Sequence, residues 1–589
     1  MKLLALLLLS TAAAAQAPDT ILFHGDILTG AHLRADDTAA TPARVSAIAI
    51  TAGKISALGT DAKILALADP HTQKIDLHGA FAMPGFNDAH THIASAGQQK
   101  LSVDLDNIPS LAAMQAKVKG YAGNVPEGNW ITGGGWDHTK WSSGKLPTKE
   151  DLDAVTGNHP AFLERTDGHI VVVNTAALKA ANITAATKSP IGGQIDLDPA
   201  THEPTGIIRD AAVHLIRSCI PPPDGATRRH ALTIALADAS AHGVTSVQDL
   251  SDWDDFLVLE QMERDGQLHV RVSSWLTFAD PVATLAAHRD HHPATDAMLH
   301  TGMLKGFMDG SLGSRTAAMQ APYSDEPSNY GLPRYSQKVL DQMTTERGAA
   351  GFQIGFHAIG DRANSMALTA FEVEKTERMK ALEKLLPQLE ASAHSHIVAT
   401  DAARFRIEHA QVLLPGDFLR FDRLHIIASM QPSHLLTDMA WATDRIGPER
   451  AKYAYAWRSF LDHHITLAFG TDYPVESVSP FRGLYSAITR QNEAGTQTFH
   501  PEQKLTINEA IYAYTQGSAF AENMEHQKGR LEPNFLADIV VLDRDITKTS
   551  PQDVLHTRVL RTIVGGATVY EAPPTAALEP THHRLPDAD

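Results

Sequence analysis

The chain of 589 residues is poor in cysteine and in positive charge. Cys219 is its single cysteine, so no disulfide can form within the chain. It lies in Leu215-Ile-Arg-Ser-Cys-Ile without a histidine or other base beside it, which predicts a packed side chain rather than a nucleophile. The chain has 50 Lys and Arg against 68 Asp and Glu, a net charge of −18. This balance argues against a nucleic-acid-binding surface, which needs clustered positive charge.

A long apolar run is also lacking, because no segment has the ~20 apolar residues that a membrane-spanning helix needs. The N-terminus carries one Lys, then a short leucine-rich run, then small residues through Ala17. This order is typical of a secretory signal peptide with an A-x-A cleavage site, after Ala15 or Ala17. We therefore predict that residues 1–17 are a signal peptide and that the mature protein is secreted or periplasmic. The alternative is a buried N-terminal strand or helix.

The length exceeds one ordinary hydrophobic core, so at least two domains are expected. Short strand-like runs occur near both ends of the chain, at residues 20–29, 45–59, 538–543 and 561–570. Neither end could bury a core alone. Together they predict a small composite β-sandwich of residues 18–83 and 528–572. The Pro- and His-rich tail, 573–589, is expected to be poorly ordered.

Strand-like and helix-like runs alternate between the two ends, and eight strand candidates can be counted. They cover residues 86–92, 243–250, 270–277, 303–309, 355–361, 405–409, 425–432 and 467–472. Eight such units predict an α/β fold, a (β/α)8 TIM barrel, over residues 84–527. Residues 101–223, after the first strand, are too many for one crossover, so we predict an insertion that forms a lid or wall over the site.

Metal-binding side chains lie at the ends of five of these strands. They are His90, His92, Lys305, His357, His409 and Asp472. His90 and His92 share one face of their strand, because side chains alternate with a period of two. The C-terminal ends of barrel strands meet at one face, so these six residues predict a two-metal hydrolytic centre. The alternative is that the histidines are ordinary polar residues at strand ends.

Lys305 and Asp472 have more specific predicted roles. Burial of Lys305 in its apolar strand should lower its pKa and expose a neutral amine. Such an amine can add CO2, and the two oxygens of the resulting carbamate can bridge two cations. The alternative for Lys305 is a salt bridge with Asp309. Asp472 is expected to bind one metal and act as general base, while Asp361 and Glu408 could orient the ligands.

Four further residues are candidate substrate contacts. Arg315, in a Gly-rich loop after the fourth strand, could face a substrate carboxylate or oxyanion, or could form an ion pair that stabilises the loop. His169 could polarise the substrate carbonyl, or could belong to the core of the insertion. Trp136 and Tyr323 could line the pocket, although buried aromatic residues are commonly core.

Several motifs together are highly specific and cover most of the chain. They are Pro84-Gly-Phe-Asn-Asp-Ala-His-Thr-His92, Gly135-Trp-Asp137, Asp309-Gly-Ser-Leu-Gly-Ser-Arg-Thr-Ala317, His357-Ala-Ile-Gly-Asp-Arg362, Arg406-Ile-Glu-His-Ala-Gln411, Phe469-Gly-Thr-Asp-Tyr-Pro-Val475 and Gly529-Arg-Leu-Glu-Pro-Asn-Phe-Leu-Ala-Asp-Ile-Val-Val-Leu542. With them the chain resembles the amidohydrolase superfamily, in the YtcJ-like branch (amidohydrolase family 3) that includes N-substituted formamide deformylases. It departs little from that pattern, with Asn534 where Gly is usual and Thr471 where Ser is frequent.

The resemblance implies a TIM barrel beside a β-sandwich built from both termini. It places His90 and His92 on one metal and His357 and His409 on the other, with carboxylated Lys305 as the bridging ligand. Asp472 matches the aspartate of the eighth strand. Two divalent ions are expected, with zinc as first choice for a His-rich site that has an open position.

The expected protein is an exported hydrolase of carbon–nitrogen bonds other than peptide bonds. A metal-bridging hydroxide would attack the carbonyl of a small-molecule amide, and Asp472 would shuttle the proton. One alternative is a mononuclear deaminase or an ester or lactone hydrolase on the same barrel. Another is a catalytically silent barrel used for binding. No nucleic-acid partner and no membrane span are expected, and a homo-oligomer is left open.

Overall fold

The computed structural model describes residues 17–33, 42–106, 108–138, 141–165, 170–190, 193–210, 212–385 and 403–573. The predicted signal peptide up to Gln16, His169 and the tail beyond residue 573 lie outside these ranges. The chain divides into two compact units. The first comprises Met1–His92, Leu236–Trp253 and Glu260–Asp589, and the second comprises Ile93–Ala235 and Asp254–Leu259.

The strands of the described residues are, in chain order, β1 (Thr20–Phe23), β2 (Asp26–Leu28), β3 (Arg44–Val45), β4 (Ala47–Thr51), β5 (Lys54–Gly59), β6 (Gln73–Asp76), β7 (Phe81–Pro84), β8 (Phe86–Thr91), β9 (Val103–Asp104), β10 (Ile131–Trp136), β11 (Ala161–Arg165), β12 (Ile170–Val173), β13 (Gly193–Leu197), β14 (Pro204–Asp210), β15 (Val244–Asp249), β16 (Arg271–Thr277), β17 (Leu299–Phe307), β18 (Ile354–Ala358), β19 (Arg406–His409), β20 (Ile427–Met430), β21 (Leu467–Phe469), β22 (Ile539–Leu542), β23 (Val559–Val564) and β24 (Ala567–Glu571).

The α-helices of the same residues are Asp61–Leu65, Ile93–Lys100, Leu111–Ala122, Lys149–Thr156, Thr175–Ala180, Val213–Arg217, Gly225–Ala241, Trp253–Arg264, Val282–Arg289, Gln337–Ala349, Asp361–Leu385, Asp417–Leu424, His434–Asp438, Ala442–Ala451, Trp457–Asp462, Pro480–Thr489, Ile507–Tyr512, Ser518–Ala521 and Pro551–Leu555. A 3₁₀ turn covers Pro501–Gln503, and a π-helical turn covers Ala513–Gly517. Across the described ranges, none of the helices combines the length and the apolar character that crossing a membrane requires.

Both ends of the chain contribute to one β-sandwich. Its sheets have the strand orders β5-β4-β1-β6 and β24-β23-β22-β7-β2-β3. β7, near the start of the chain, pairs antiparallel with β22, near its end, so that Phe81 lies opposite Leu542. Ile48 and Ile50 share a buried cluster with Ile539 and Ile563, which shows that the two ends complete a single core. The composite sandwich predicted from the sequence is confirmed.

The barrel is an eight-stranded parallel sheet with the order β21-β20-β19-β18-β17-β16-β15-β8. Its first and last strands meet where the backbone N–H of Asp472 donates to the carbonyl of His90 at 2.8 Å, and that of His92 donates to the carbonyl of Tyr473 at 2.8 Å. The predicted TIM barrel is therefore confirmed. The strand bounds differ from the predicted runs at several ends: β17 starts at Leu299, β20 covers only Ile427–Met430, and β21 ends at Phe469, so Asp472 follows its strand instead of ending it.

The second compact unit has a six-stranded sheet of its own, with the order β13-β14-β12-β11-β10-β9. Apolar residues on its two faces form separate clusters, one around Trp136 and Leu163 and the other around Val171 and Val173. The sequence predicted an insertion over residues 101–223 but not this sheet. Its role as a lid or wall stays a prediction.

Candidate metal centre

Four histidines at the ends of barrel strands form one cluster of imidazole rings. The ring centroids of His90 and His92, both at the end of β8, are 5.5 Å apart. His409, at the end of β19, lies 4.9 Å from the ring of His90 and 4.5 Å from that of His357 in β18. The parallel sheet brings these rings together because all its strands end at the same face of the barrel.

Lys305 and Asp472 lie within the same cluster. The Nζ of Lys305 is 2.9 Å from Nε2 of His90. Oδ1 of Asp472 is 3.1 Å from Nε2 of His92 and 3.6 Å from Nε2 of His90. The six side chains that the sequence selected as ligands therefore converge on one place at the mouth of the barrel.

In three of the imidazoles a hydrogen-bond acceptor faces one ring nitrogen. The other nitrogen of each ring is then available to bind a metal ion. Nδ1 of His90 lies 2.7 Å from Oε2 of Glu408, and Nδ1 of His92 lies 3.3 Å from the carbonyl oxygen of Leu250. Nε2 of His357 lies 3.1 Å from the carbonyl oxygen of Gly310. A neutral ring donates its N–H to such an acceptor, so its other nitrogen carries a lone pair.

Burial keeps the rings of His90 and His357 neutral. It is the largest cause lowering the pKa of His90 to about 4 and that of His357 to about 3, and the nearby charge of Lys305 acts in the same direction. Glu408 stays ionised, because Arg406 and His90 outweigh its burial and lower its pKa to about 2. Glu408 thus orients His90, as predicted. Asp361, the other proposed orienting residue, accepts a hydrogen bond from the backbone N–H of Gln320 at 2.7 Å.

Three buried atoms in the cluster have no hydrogen-bond partner among the described residues. They are Nδ1 of His409, Oδ1 of Asp472 and Nε2 of His434. Nε2 of His92 lies 3.1 Å from Oδ1 of Asp472, but it carries the lone pair of a ring whose Nδ1 faces the carbonyl of Leu250, so it does not donate to Oδ1. An unsatisfied buried polar atom costs about 1–3 kcal/mol, so three in one place indicate a ligand that completes them. His90, His409 and Asp472 can each direct one ligand atom so that all three atoms lie within 4.8 Å of one another. These donors fit a divalent cation.

Lys305 is buried beneath the cluster among aromatic rings. Its Nζ lies 5.3 Å from the ring centroid of Trp275 and 5.1 Å from that of Phe307. Burial lowers its pKa to about 8. The alternative salt bridge with Asp309 is not formed among the described residues, because the Asp309 carboxylate accepts the backbone N–H groups of Ala318, Ile359 and Gly360.

The candidate substrate contacts that the structure describes interact with residues outside the metal centre. Arg315 makes a two-pronged ion pair with Asp325, at 3.1 and 2.9 Å, which is the alternative the sequence left open. The buried Tyr323 donates its hydroxyl to the carbonyl of Ala317 at 2.8 Å. Trp136 is fully buried in the core of its own unit. His169 lies outside the described residues, and contact with substrate stays a prediction for all four.

His434 is a member of the cluster that the sequence did not indicate. Its Nε2 lies 3.5 Å from Oδ2 of Asp472, and its ring stacks on His409 with a centroid distance of 5.9 Å. It comes four residues after the end of β20, in Gln431-Pro-Ser-His434, at the start of a short helix. A search of the residues just beyond each barrel strand would have included it.

Comparisons with known proteins agree with this geometry. The model of the amidohydrolase family matches residues 73–570. The putative amidohydrolase YtcJ of Bacillus subtilis is 30% identical over 90% of this chain and 96% of its own, and an N-substituted formamide deformylase of Arthrobacter pascens is 25% identical over 89% and 95%. An uncharacterized metal-dependent hydrolase of Pyrococcus furiosus superposes with a TM-score of 0.73 at 28% identity, covering 90% of this chain and 100% of that one. The chain therefore belongs to the amidohydrolase family.

Proposed function

We propose that this protein is an exported, metal-dependent amidohydrolase that hydrolyses the C–N bond of a small-molecule amide. One observation carries the proposal: neutral imidazoles, a buried lysine and a buried aspartate converge at the mouth of the barrel with unpartnered ligand atoms. The deformylase among the relatives acts on N-substituted formamides, which supports an amide substrate. The metal-dependent hydrolase among the solved structures supports the need for a metal.

His90, His92 and Asp472 would hold one divalent ion, and His357 and His409 would hold a second. A bound divalent ion supplies Lewis acidity toward a carbonyl oxygen and lowers the pKa of water. Zinc suits a set of donors dominated by imidazole nitrogen. The acceptors behind His90, His92 and His357 hold each ring in one orientation before any ion arrives, and this limits the reorganisation that binding requires.

We further propose that Lys305 is carboxylated and supplies the bridging ligand. Its lowered pKa leaves a larger fraction of neutral amine near neutral pH than an exposed lysine has. The amine nitrogen adds to CO2, a new N–C bond forms, and one proton leaves. The product is an anion, and a buried anion beneath the four imidazoles would be stabilised by the cations that these imidazoles bind.

Asp472 is the proposed proton carrier. Burial alone would raise its pKa, but His90, His92, His409 and His434 outweigh burial and hold the pKa well below its usual range. The side chain is therefore an acceptor, and its Oδ1 has no hydrogen-bond partner among the described residues. It can take a proton from the attacking water and return it to the departing amine nitrogen. His434, next to Oδ2, is assigned as its positioning residue.

A substrate panel tests this function. Purified protein with bound metal is offered N-substituted amides, including formamides, and also esters, lactones and amino-substituted heterocycles of similar size. We expect turnover of the amides, measured as release of the free amine. Exclusive turnover of esters or lactones, or release of ammonia from the heterocycles only, would replace the proposal with one of the alternative activities on the same barrel. A count of bound metal separates the mononuclear from the two-metal case.

A further inference from the structure

A second group of metal-binding side chains lies away from the mouth of the barrel. Glu260 and Glu263 belong to the C-terminal half of the helix Trp253–Arg264. His292 and Asp296 lie in the segment that leads into β17. Asp296 precedes the N-terminal end of that strand, whereas Lys305 lies near its C-terminal end. The six residue steps from Leu299 to Lys305 span about 20 Å, so the group is separate from the metal centre.

The donor atoms of this group converge on the ring of His292. Its Nδ1 lies 3.2 Å from Oε1 of Glu260. Its Nε2 lies 3.4 Å from Oδ2 of Asp296 and 3.7 Å from Oε2 of Glu263. One ligand atom each from Glu263, His292 and Asp296 can lie within 4.8 Å of the others. Two atoms that bind one cation at about 2.1 Å are about 3–4 Å apart, so the spacing suits one ion.

The arrangement repeats the one around His90. There, Nδ1 faces the carboxylate of Glu408 and leaves Nε2 for the centre. Here, Nδ1 of His292 faces Glu260 and leaves Nε2 toward the other two carboxylates. A carboxylate behind the imidazole fixes the tautomer and raises the basicity of the ligating nitrogen, and metal-binding histidines commonly have one.

The charges of the group also favour a cation. Glu260 is neutralised in part by Arg264, whose Nη1 lies 3.0 Å from its Oε2. Glu263 and Asp296 instead lie close to each other. Burial and the charge of Asp296 both raise the pKa of Glu263, which indicates two carboxylates that repel. The side chain of His292 is only 9% exposed, while those of Glu263 and Asp296 are 22% and 30% exposed, leaving an approach for an ion and its water.

We propose that Glu263, His292 and Asp296 form an additional divalent-cation site, with Glu260 orienting His292. The donor set of one imidazole nitrogen and two carboxylates suits zinc or a similar transition metal. A cation bound at this site would link the last turn of the helix Trp253–Arg264 to the segment that leads into β17, the strand that carries Lys305. The role is structural and does not depend on the proposed reaction.

The test is the metal content of the full-length protein dialysed against zinc, measured by mass spectrometry together with the melting temperature. Wild type should bind one zinc per chain more than His292→Ala or Glu263→Gln. Zinc should raise the Tm of wild type in a saturable way and should raise it less in both variants. Amide turnover should be the same in all three proteins, because neither residue belongs to the metal centre.

The control is His500→Ala. His500 also pairs with a carboxylate, as its Nδ1 lies 2.7 Å from Oε1 of Glu502, but within the described part of the chain it belongs to no such three-residue group. This variant should keep the zinc content of wild type. Equal zinc content in wild type, His292→Ala and Glu263→Gln would overturn the proposal, leaving the group as an ion-pair network in which His292 joins the carboxylates. Glu263→Gln keeps the side-chain shape, so its zinc content tests the proposal even if His292→Ala does not fold.

Discussion

Asp472 is a buried carboxylate whose Oδ1 has no hydrogen-bond partner among the described residues. Asp472→Asn keeps the size of the side chain but removes the proton acceptor. We expect kcat on the best amide to fall by about 10²–10⁴-fold, the usual contribution of a positioned general base. Metal content and Tm should change much less than turnover. The measurement is kcat with metal analysis on the same preparation.

The matched variant for Asp472 is His434→Asn, which changes the neighbour of Oδ2 and leaves the carboxylate in place. We expect a smaller loss of kcat than in Asp472→Asn, together with a shifted pH–rate profile. If Asp472→Asn kept a near-normal kcat with its metal bound, the proton would have to pass through another residue, and His434 would be the first to examine.

Lys305 is buried without a carboxylate partner among the described ion pairs, and its Nζ contacts His90. Lys305→Ala should lose the bridging ligand, and with it most of the bound metal and the turnover. Short carboxylic acids should restore part of the activity, because their two oxygens can occupy the place of the carbamate. The measurements are metal content and rate with and without added acetate or propionate.

A second buried lysine provides the control for this prediction. Nζ of Lys528 lies 2.7 Å from Oε1 of Glu522, outside the metal centre. Lys528→Met should lower stability, because it leaves a buried carboxylate, but the folded protein should keep its metal. An unmodified Lys305 amine in crystals with full metal occupancy would refute the bridge.

At the scale of residues, the sequence indicated the ligands better than the substrate contacts. The six predicted ligands could be found because a polar residue at the end of an apolar run is conspicuous in the sequence. His434 was missed, because Gln431, Pro432 and Ser433 separate it from the end of β20 and the apolar pattern of the strand does not extend to it. For Arg315 the sequence left an ion pair and a substrate contact equally open, and only the structure shows that Asp325, ten residues later, accepts hydrogen bonds from its Nε and Nη2.

At the scale of elements, a buried ion pair joins the barrel to the sandwich. Nε of Arg271, in β16, lies 2.7 Å from Oδ2 of Asp538, which precedes β22, and Nη2 lies 2.9 Å from Oδ1. Arg271→Met should destabilise the protein by about 3–5 kcal/mol, because it leaves the Asp538 carboxylate buried without its partner. Urea unfolding followed by fluorescence measures the loss.

The exposed ion pair of Lys452 and Glu449, with an N···O distance of 2.7 Å, is the control for the buried pair. Lys452→Ala should leave the unfolding curve of wild type unchanged, because water and salt screen an exposed pair. An Arg271→Met variant that unfolds at the same urea concentration as wild type would show that the pair does not hold the two elements together.

Some strands could be predicted from the sequence and others could not. Barrel strands could be predicted because each is a short apolar run followed by a polar end. β10, Ile131–Trp136, carries three glycines in a row and has no apolar alternation, so neither it nor the sheet around it was predicted. β21 ends at Phe469, before Asp472, whose φ of 59° turns the backbone out of the extended conformation.

At the scale of the whole molecule, export remains a prediction from the N-terminal sequence. The order of one Lys, a leucine-rich run and small residues should be recognised and removed by a signal peptidase. The mature protein from its native host should begin near Gln16 or Pro18 and be found outside the cytoplasm. Sequencing of the N-terminus decides this, and a cytosolic product that keeps residues 1–15 would reject the signal peptide.

The domain organisation of the chain could be predicted from the sequence in part. Two ends that are each too small to bury a core predicted a shared sandwich. The pairing of Phe81 with Leu542 joins residues far apart in the chain, and no local pattern specifies such a register. The second compact unit extends beyond the predicted insertion to Ile93 and Ala235, because helices that flank the predicted range also belong to it.

Removal and return of the metal tests most directly whether the clustered histidines, Lys305 and Asp472 hydrolyse amides through a bound cation. The full-length protein is stripped with a chelator, its residual metal is measured, and zinc, manganese or cobalt is then titrated back while amine release is followed. We predict that turnover falls to background in the stripped protein and returns in proportion to bound metal, up to two ions per chain at the centre. Full turnover in the metal-free protein would contradict the mechanism.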